Sequence, residues 1–207
     1  MTTVGRWSPN KVRARVLDGT WAAADDFVTG NGVALLTPTS IAYSGTSASI
    51  GANGSVEFTA CSSLSLNGVF SANYDNYIIA IRNVGSTDGD IYGRLRSAGS
   101  DSTTTNYTYQ YLAADSTTVS AARASLSRFI FGGFSSTQRD GLNVNVFGPY
   151  LAQPTAVRST TIWGKNSAFI YDNAGTHSLS SSYDGITIYP NTGNLTGLVS
   201  VYGLVGA

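Results

Sequence analysis

Tyr77-Ile78-Ile79-Ala80-Ile81, then the turn dipeptide Asp88-Gly89, then Ile91-Tyr92-Gly93-Arg94-Leu95-Arg96: this stretch decides how the rest of the chain reads. Its first part is a continuous apolar run of strand length, suited to a strand buried on both faces, and its last part is a second short strand. The same pattern repeats outward in both directions. Further turn dipeptides stand at Asp18-Gly19, Asn31-Gly32, Asn53-Gly54, Asn67-Gly68, Asp140-Gly141 and Asp184-Gly185. An Asp or Asn before glycine closes hairpins through positive φ angles, and turn chemistry is the expectation for Asp18, Asp88, Asp140 and Asp184. Between the turns lie strand-like runs at Leu64 to Phe70, Tyr107 to Leu112, Phe129 to Phe131, Leu142 to Phe147, Arg158 to Trp163, Gly185 to Tyr189 and Leu198 to Leu204.

Only Trp21 to Phe27 and Val119 to Ser127 are open to a helical reading, and neither carries an amphipathic stripe, so each should form a short helical turn at most. Pro149 and Pro154 bracket an irregular connection or edge segment, because proline cannot donate to a central ladder, and the strands on either side should belong to different hairpins. Many short strands and almost no helix predict an all-β fold, an antiparallel β-sandwich.

The chain has 207 residues with 12% charged side chains, 23 glycines and a formal net charge of zero. That charge content is about half the ~25% usual in globular proteins. A neutral chain lacks the long-range field that draws a protein to nucleic acid or an anionic membrane, and no apolar run approaches the ~20 residues of a membrane span. No apolar core of a secretory signal follows Met1-Thr2-Thr3. One histidine, His177, and one cysteine, Cys61, supply no zinc ligand set, and there is no nucleophile elbow and no phosphate loop. No metal or cofactor is expected. A carboxylate pair of the kind a polysaccharide depolymerase uses would have to come from Asp75, Asp184 or Glu57.

Residues 1–26 differ from the remainder. Arg6, Lys11, Arg13 and Arg15 gather near the start beside Trp7, with Trp21 beyond them, whereas Phe27 to Val56 holds no formal charge. The shift divides the chain into an N-terminal anchoring segment, 1–26, and a β-sandwich domain, 27–207. Arg6, Trp7, Lys11, Arg13 and Arg15 are the candidate attachment residues. Tyr107, Tyr109 and Tyr111 alternate along one strand and so share a face, which suits either a saccharide receptor, each ring offering an apolar face and a hydroxyl, or a subunit contact.

Tyr-Asp precedes a strand twice, in Tyr74-Asp75-Asn76-Tyr77 and Tyr183-Asp184-Gly185-Ile186. With Phe147-Gly148-Pro149-Tyr150, Gln153-Pro154-Thr155, Ile188-Tyr189-Pro190-Asn191-Thr192-Gly193-Asn194-Leu195-Thr196-Gly197 and Val201-Tyr202-Gly203, in that order, the stretch from Leu35 to Leu204 resembles the minor tail and tail-fibre proteins of tailed bacteriophages. The resemblance implies a jelly-roll β-sandwich, often a homotrimer, on the outer surface of a virion and in contact with other virion proteins. A capsid decoration or head-fibre protein is the alternative. Host surface glycans would be its outside partner, and the resemblance carries over no catalytic residue.

Overall fold

The computed structural model describes residues 32–164 and 169–204, and those residues form strands and their connections with no helix. In chain order the strands are β1 (Val33–Leu36), β2 (Ser40–Ile50), β3 (Val56–Asn67), β4 (Asn76–Gly85), β5 (Gly89–Ser97), β6 (Ser100–Asp101), β7 (Tyr107–Asp115), β8 (Thr118–Leu126), β9 (Phe129–Phe134), β10 (Asp140–Phe147), β11 (Gln153–Trp163), β12 (Phe169–Ser181), β13 (Gly185–Pro190) and β14 (Leu195–Leu204). They pair antiparallel in one continuous sheet of order β6-β5-β13-β3-β14-β4-β10-β11-β12-β7-β8, with β1 on β14, β2 on β3 and β9 on β5. The sheet doubles back on itself at β3, one edge of which serves two neighbours: Leu64–Leu66 pair with β13, and Val56–Cys61 with β14. As a result β9, hydrogen-bonded to β5, packs face to face on β11 and β12. The chain is all-β and antiparallel, with the two stacked layers of a β-sandwich.

Phe58, Leu64 and Leu66 of β3, Ile79 and Ile81 of β4, Ile91 and Leu95 of β5, Phe129, Phe131 and Phe134 of β9, and Leu142, Val144 and Val146 of β10 meet between the layers. β4, β5 and β10 contribute alternate residues, the period-two pattern of a sheet buried on one side. This corrects the reading of Tyr77 to Ile81 as buried on both faces: Tyr77, Ile79 and Ile81 are buried while Ile78 and Ala80 are partly open.

Four further expectations are corrected. Val119 to Ser127 forms no helical turn; it lies almost wholly within β8, which pairs with β7 from Asp115↔Thr118 to Tyr107↔Leu126. Its alanines and serines carry no strand signal of their own, and the partner strand supplies the ladder. Second, β10 and β11 form one hairpin, with Phe147 opposite Ala156, not parts of two. Pro154 is tolerated because the β10 ladder starts beyond it and the β12 ladder shifts register between Gln153 and Thr155, so no donor is required there.

Third, Gly54 and Gly68 do turn the chain at φ 88° and 66°, but Gly89, Gly141 and Gly185 have no positive φ. Their aspartates are side-chain anchors. Asp88 accepts the Ser136 N–H at 2.8 Å, Asp184 accepts that of Ala98 at 3.1 Å, and Asp140, only 2% exposed, accepts those of Ser135 and Gly164. Burial raises the Asp140 carboxyl above its usual range, and those two N–H groups partly oppose the shift. Fourth, β2 and β12 fall where no strand was expected, since their Ser, Ala, Gly and Thr content leaves pairing, not composition, to define them.

One contact pins the layers together. A bulge between Ile91 and Tyr92 in the β5–β9 ladder leaves Phe131 unpaired. Its carbonyl accepts three side-chain donors from the opposite layer: Ser159 Oγ at 2.7 Å, Thr161 Oγ1 at 3.1 Å and Asn173 Nδ2 at 3.2 Å. The next residue, Gly132, has φ 151°, and a Cβ there would collide with the Thr161 hydroxyl. Gly132→Ala should therefore destabilise the domain by roughly 2–4 kcal/mol, combining backbone strain and overpacking. Gly141→Ala, with nothing within 4 Å of the added carbon, should stay within about 0.5 kcal/mol of the parent, both variants being read by urea titration.

Candidate functional site: an aromatic groove

On β5, Ile91 and Leu95 point into the core, so Asp90, Tyr92 and Arg94 stand on the other side. Gly133 of β9 is the register partner of Asp90 and shares that side. A Cβ on Gly133 would lie 2.5 Å from the Trp163 indole of β11. The side of β5 that carries Asp90 thus faces side chains of the curled β11-β12-β7 arm along a seam, the groove, where Tyr171 lies near Asp90 and Tyr92.

The arm contributes a file of rings. Tyr109 and Tyr111 stack at 6.1 Å between centroids and 4° between planes, Tyr111 and Tyr171 at 5.0 Å and 27°, and Tyr171 and Phe169 at 6.1 Å and 24°. Trp163 continues the file edge-on to Phe169 at 5.1 Å. Alternation in β7 and β12 brings these rings to one face, and the diagonal across the two strands brings Tyr111 onto Tyr171. All are half-buried. The hydroxyls of Tyr109, Tyr111 and Tyr171 make no hydrogen bond to another described residue.

The opposite wall is polar and cationic. Arg128 lies 4.2 Å over the ring of Tyr92, which meets Tyr189 edge-on at 5.6 Å, and Arg94 lies 5.1 Å over Tyr189 while its Nε donates to the Ser127 carbonyl at 3.1 Å. Arg128 Nε and the Tyr189 hydroxyl are buried without a hydrogen-bond partner among the described residues. The backbone N–H of Asp90 donates to Asn191 Oδ1 at 2.8 Å. Burial raises the Asp90 carboxyl, with the Arg128 charge partly opposing, and no hydrogen bond contributes. Burial, then the nearby Asp90 and the neighbouring tyrosines, pushes the Tyr171 hydroxyl well above the phenol range.

Of the three tyrosines expected on one face, Tyr109 and Tyr111 line this groove and Tyr107 does not. Tyr107 is fully buried, its hydroxyl donating to the Ser102 carbonyl at 2.9 Å and accepting the Leu95 N–H at 3.2 Å. Its hydroxyl is pushed up to about 12, chiefly by burial. Tyr107 belongs to the core because β9 covers that end of β7: Phe129 packs on its ring at 4.8 Å. Arg6, Trp7, Lys11, Arg13 and Arg15 lie outside the described residues, as do Trp21 to Phe27 and the Asp18-Gly19 turn. Glu57 is exposed on β3, Asp75 is exposed before β4, and Asp184 anchors Ala98 before β13. Among the described residues no group of three or more His, Cys, Asp or Glu side chains is placed to hold a metal ion. Asp90, Tyr92, Arg128 and Tyr171 escaped the sequence reading, because two strands, β5 and β12, and the β8–β9 connection supply them.

His177 is fully buried between Tyr107, 4.3 Å away, and Tyr183, 5.2 Å away. Ser102 Oγ stands 3.2 Å from its Nε2 and the Tyr183 hydroxyl 3.3 Å from its Nδ1. Among the described residues no carboxylate faces either nitrogen to stabilise an imidazolium, as nucleophile activation by histidine requires. Burial lowers its pKa from the ordinary 6.5.

No family model and no curated protein matches this chain. Among solved structures it is similar to domain 4 of AbnA, a GH43 extracellular arabinanase from Geobacillus stearothermophilus in complex with arabinotriose, at 13% identity over 84% of each chain with a TM-score of 0.30. At that score neither ligand nor activity carries over.

A lowered folded-state pKa favours the neutral ring, so what His177 contributes to stability is complete above its unfolded value of 6.5 and is lost as pH falls. A proton NMR titration of this sole histidine should find the imidazole still neutral at pH 6.5 in the folded protein. A midpoint at or above 6.5 would show that the ring is not sequestered.

Proposed function

We propose that this chain is a non-enzymatic structural protein of a bacteriophage particle, a minor tail protein or tail fibre of the tail or baseplate. Residues 1–26 anchor it to other virion proteins, and the β-sandwich presents the aromatic groove to saccharides of the host surface. The observation that carries the binding half is the file Tyr109–Tyr111–Tyr171, half-buried rings whose hydroxyls have no partner among the described residues. Rings of this kind bury against the apolar face of a pyranose and leave hydroxyls for its polar groups. The virion half rests on the ordered motifs between Leu35 and Leu204.

Assembly into a closed homotrimer is part of the proposal. Across the register Gly141, Ile162, Ile170, Ala114 and Val119 form one lateral row on the outside of β10, β11, β12, β7 and β8. Ile162, Ile170 and Val119 are 66%, 65% and 67% exposed, and β8, at the end of the sheet, carries one charge, Arg123, to protect its edge. A second chain would cover both the row and the edge. Light scattering at micromolar concentration should give three times 21.6 kDa; a mass of one chain would overturn the trimer.

Fluorescently labelled protein should bind host cells, and Tyr111→Ala/Tyr171→Ala should reduce that binding by at least tenfold without loss of fold. Gold-labelled antibody to residues 60–200 should decorate the tail of purified particles. Label over the capsid would make the chain a decoration protein, and label absent from the particle would end the virion reading.

A further inference from the structure

Across the groove from Tyr111 and Tyr171 stand one acid and one base that do not satisfy each other. The Arg128 guanidinium lies over the Tyr92 ring at 4.2 Å, so the two hold one another in place; its Nε is buried, and its terminal nitrogens, which make no hydrogen bond to a described residue, are the donors a ligand can reach. Asp90 is half-buried on the same side of β5 as Tyr92. It makes no ion pair with Arg128 within 4.0 Å, although the two are near enough for their charges to interact. A carboxylate only accepts hydrogen bonds and a guanidinium only donates them. Groups of that kind left half-desolvated and unpaired are costly, and a ligand able to donate to one and accept from the other would remove the cost.

The choice of ligand follows from the charges. An anionic ligand would meet Asp90, and a cationic one would meet Arg128 and Arg94. A neutral polyol meets neither penalty. Adjacent hydroxyls on one sugar ring fit the acid and base together, one donating to the carboxylate and its neighbour accepting from the guanidinium, while the apolar face of the ring lies on the tyrosines.

We propose that Asp90 and Arg128 form the polar end of a subsite for an uncharged saccharide, binding neighbouring hydroxyls of a sugar whose ring stacks on Tyr111 and Tyr171. This rests on the saccharide reading of the groove and adds its specificity: neutral sugars are accepted and uronates or sialylated glycans refused.

Oligosaccharides of glucose, galactose and mannose, with galacturonate oligomers and sialyllactose beside them, would be immobilised as an array, and affinities measured by calorimetry for those that bind. Binding to neutral members alone is the expected result. Asp90→Asn and Arg128→Gln should each weaken it on the order of tenfold or more, the usual worth of a charge-assisted hydrogen bond. The double variant should lose less than the product of the two, because both groups hold one ligand. Unfolding midpoints measured alongside separate a binding loss from a folding loss. Preference for the acidic members, or unchanged affinity in Asp90→Asn when Tyr111→Ala/Tyr171→Ala abolishes binding, overturns this assignment and leaves the tyrosine groove standing. Binding to no saccharide on the array overturns both.

Discussion

Everything that places the groove depends on the carbonyl of Phe131. A backbone oxygen buried between two apolar layers must be satisfied there or cost about 1–3 kcal/mol. The bulge takes it out of the β5–β9 ladder, and Ser159, Thr161 and Asn173 reach it from the other layer. Side chains that look out of place in a core, on the inward faces of β11 and β12, are there to serve one acceptor. The same bulge reverses which residues of β9 face the core, so that Phe129 and Phe134 both point inward although their separation is odd.

That reversal has a consequence on the far side. With Phe134 inward, Gly133 points away from the core beside Asp90, and its missing Cβ lets Trp163 approach. The arm of β11, β12 and β7 can then curl close over the outer side of β5. Half-buried tyrosines on one wall and Asp90, Tyr92 and Arg128 on the other are the result of that approach. Polar groups that would be solvated on an open sheet become partly desolvated and selective in a groove.

Farther along the same side of β5 a second polar cluster secures the strand. Arg96 pairs with Asp101 and donates to Asn67 at 3.0 Å, to Ser65 at 3.0 Å and to Thr187 at 2.7 Å. It ties β5 to β3 and β13 and so holds the strand that carries Asp90 and Tyr92. A chain with few charges uses this one as a buried bracket, where a guanidinium's several donors can all be matched.

Alternating apolar residues and turn dipeptides were enough to determine an all-β antiparallel chain, since burial on one face of a sheet imposes a period of two whatever the neighbours are. Local sequence also placed Tyr109 and Tyr111 on one face. It failed at β2, β8 and β12, where small polar residues have no preference and the ladder comes from a strand distant in sequence or across a hairpin. It failed for the same reason at Asp140, whose glycine suggested a turn while its carboxylate caps N–H groups from two other segments. Tyr107 was separated from Tyr109 by β9, and Tyr171, Asp90 and Arg128 were joined to Tyr111 by the curl of the sheet. Which face of a strand is apolar is a local property; which other strand covers it, and where the cover stops, is decided only when distant segments pack.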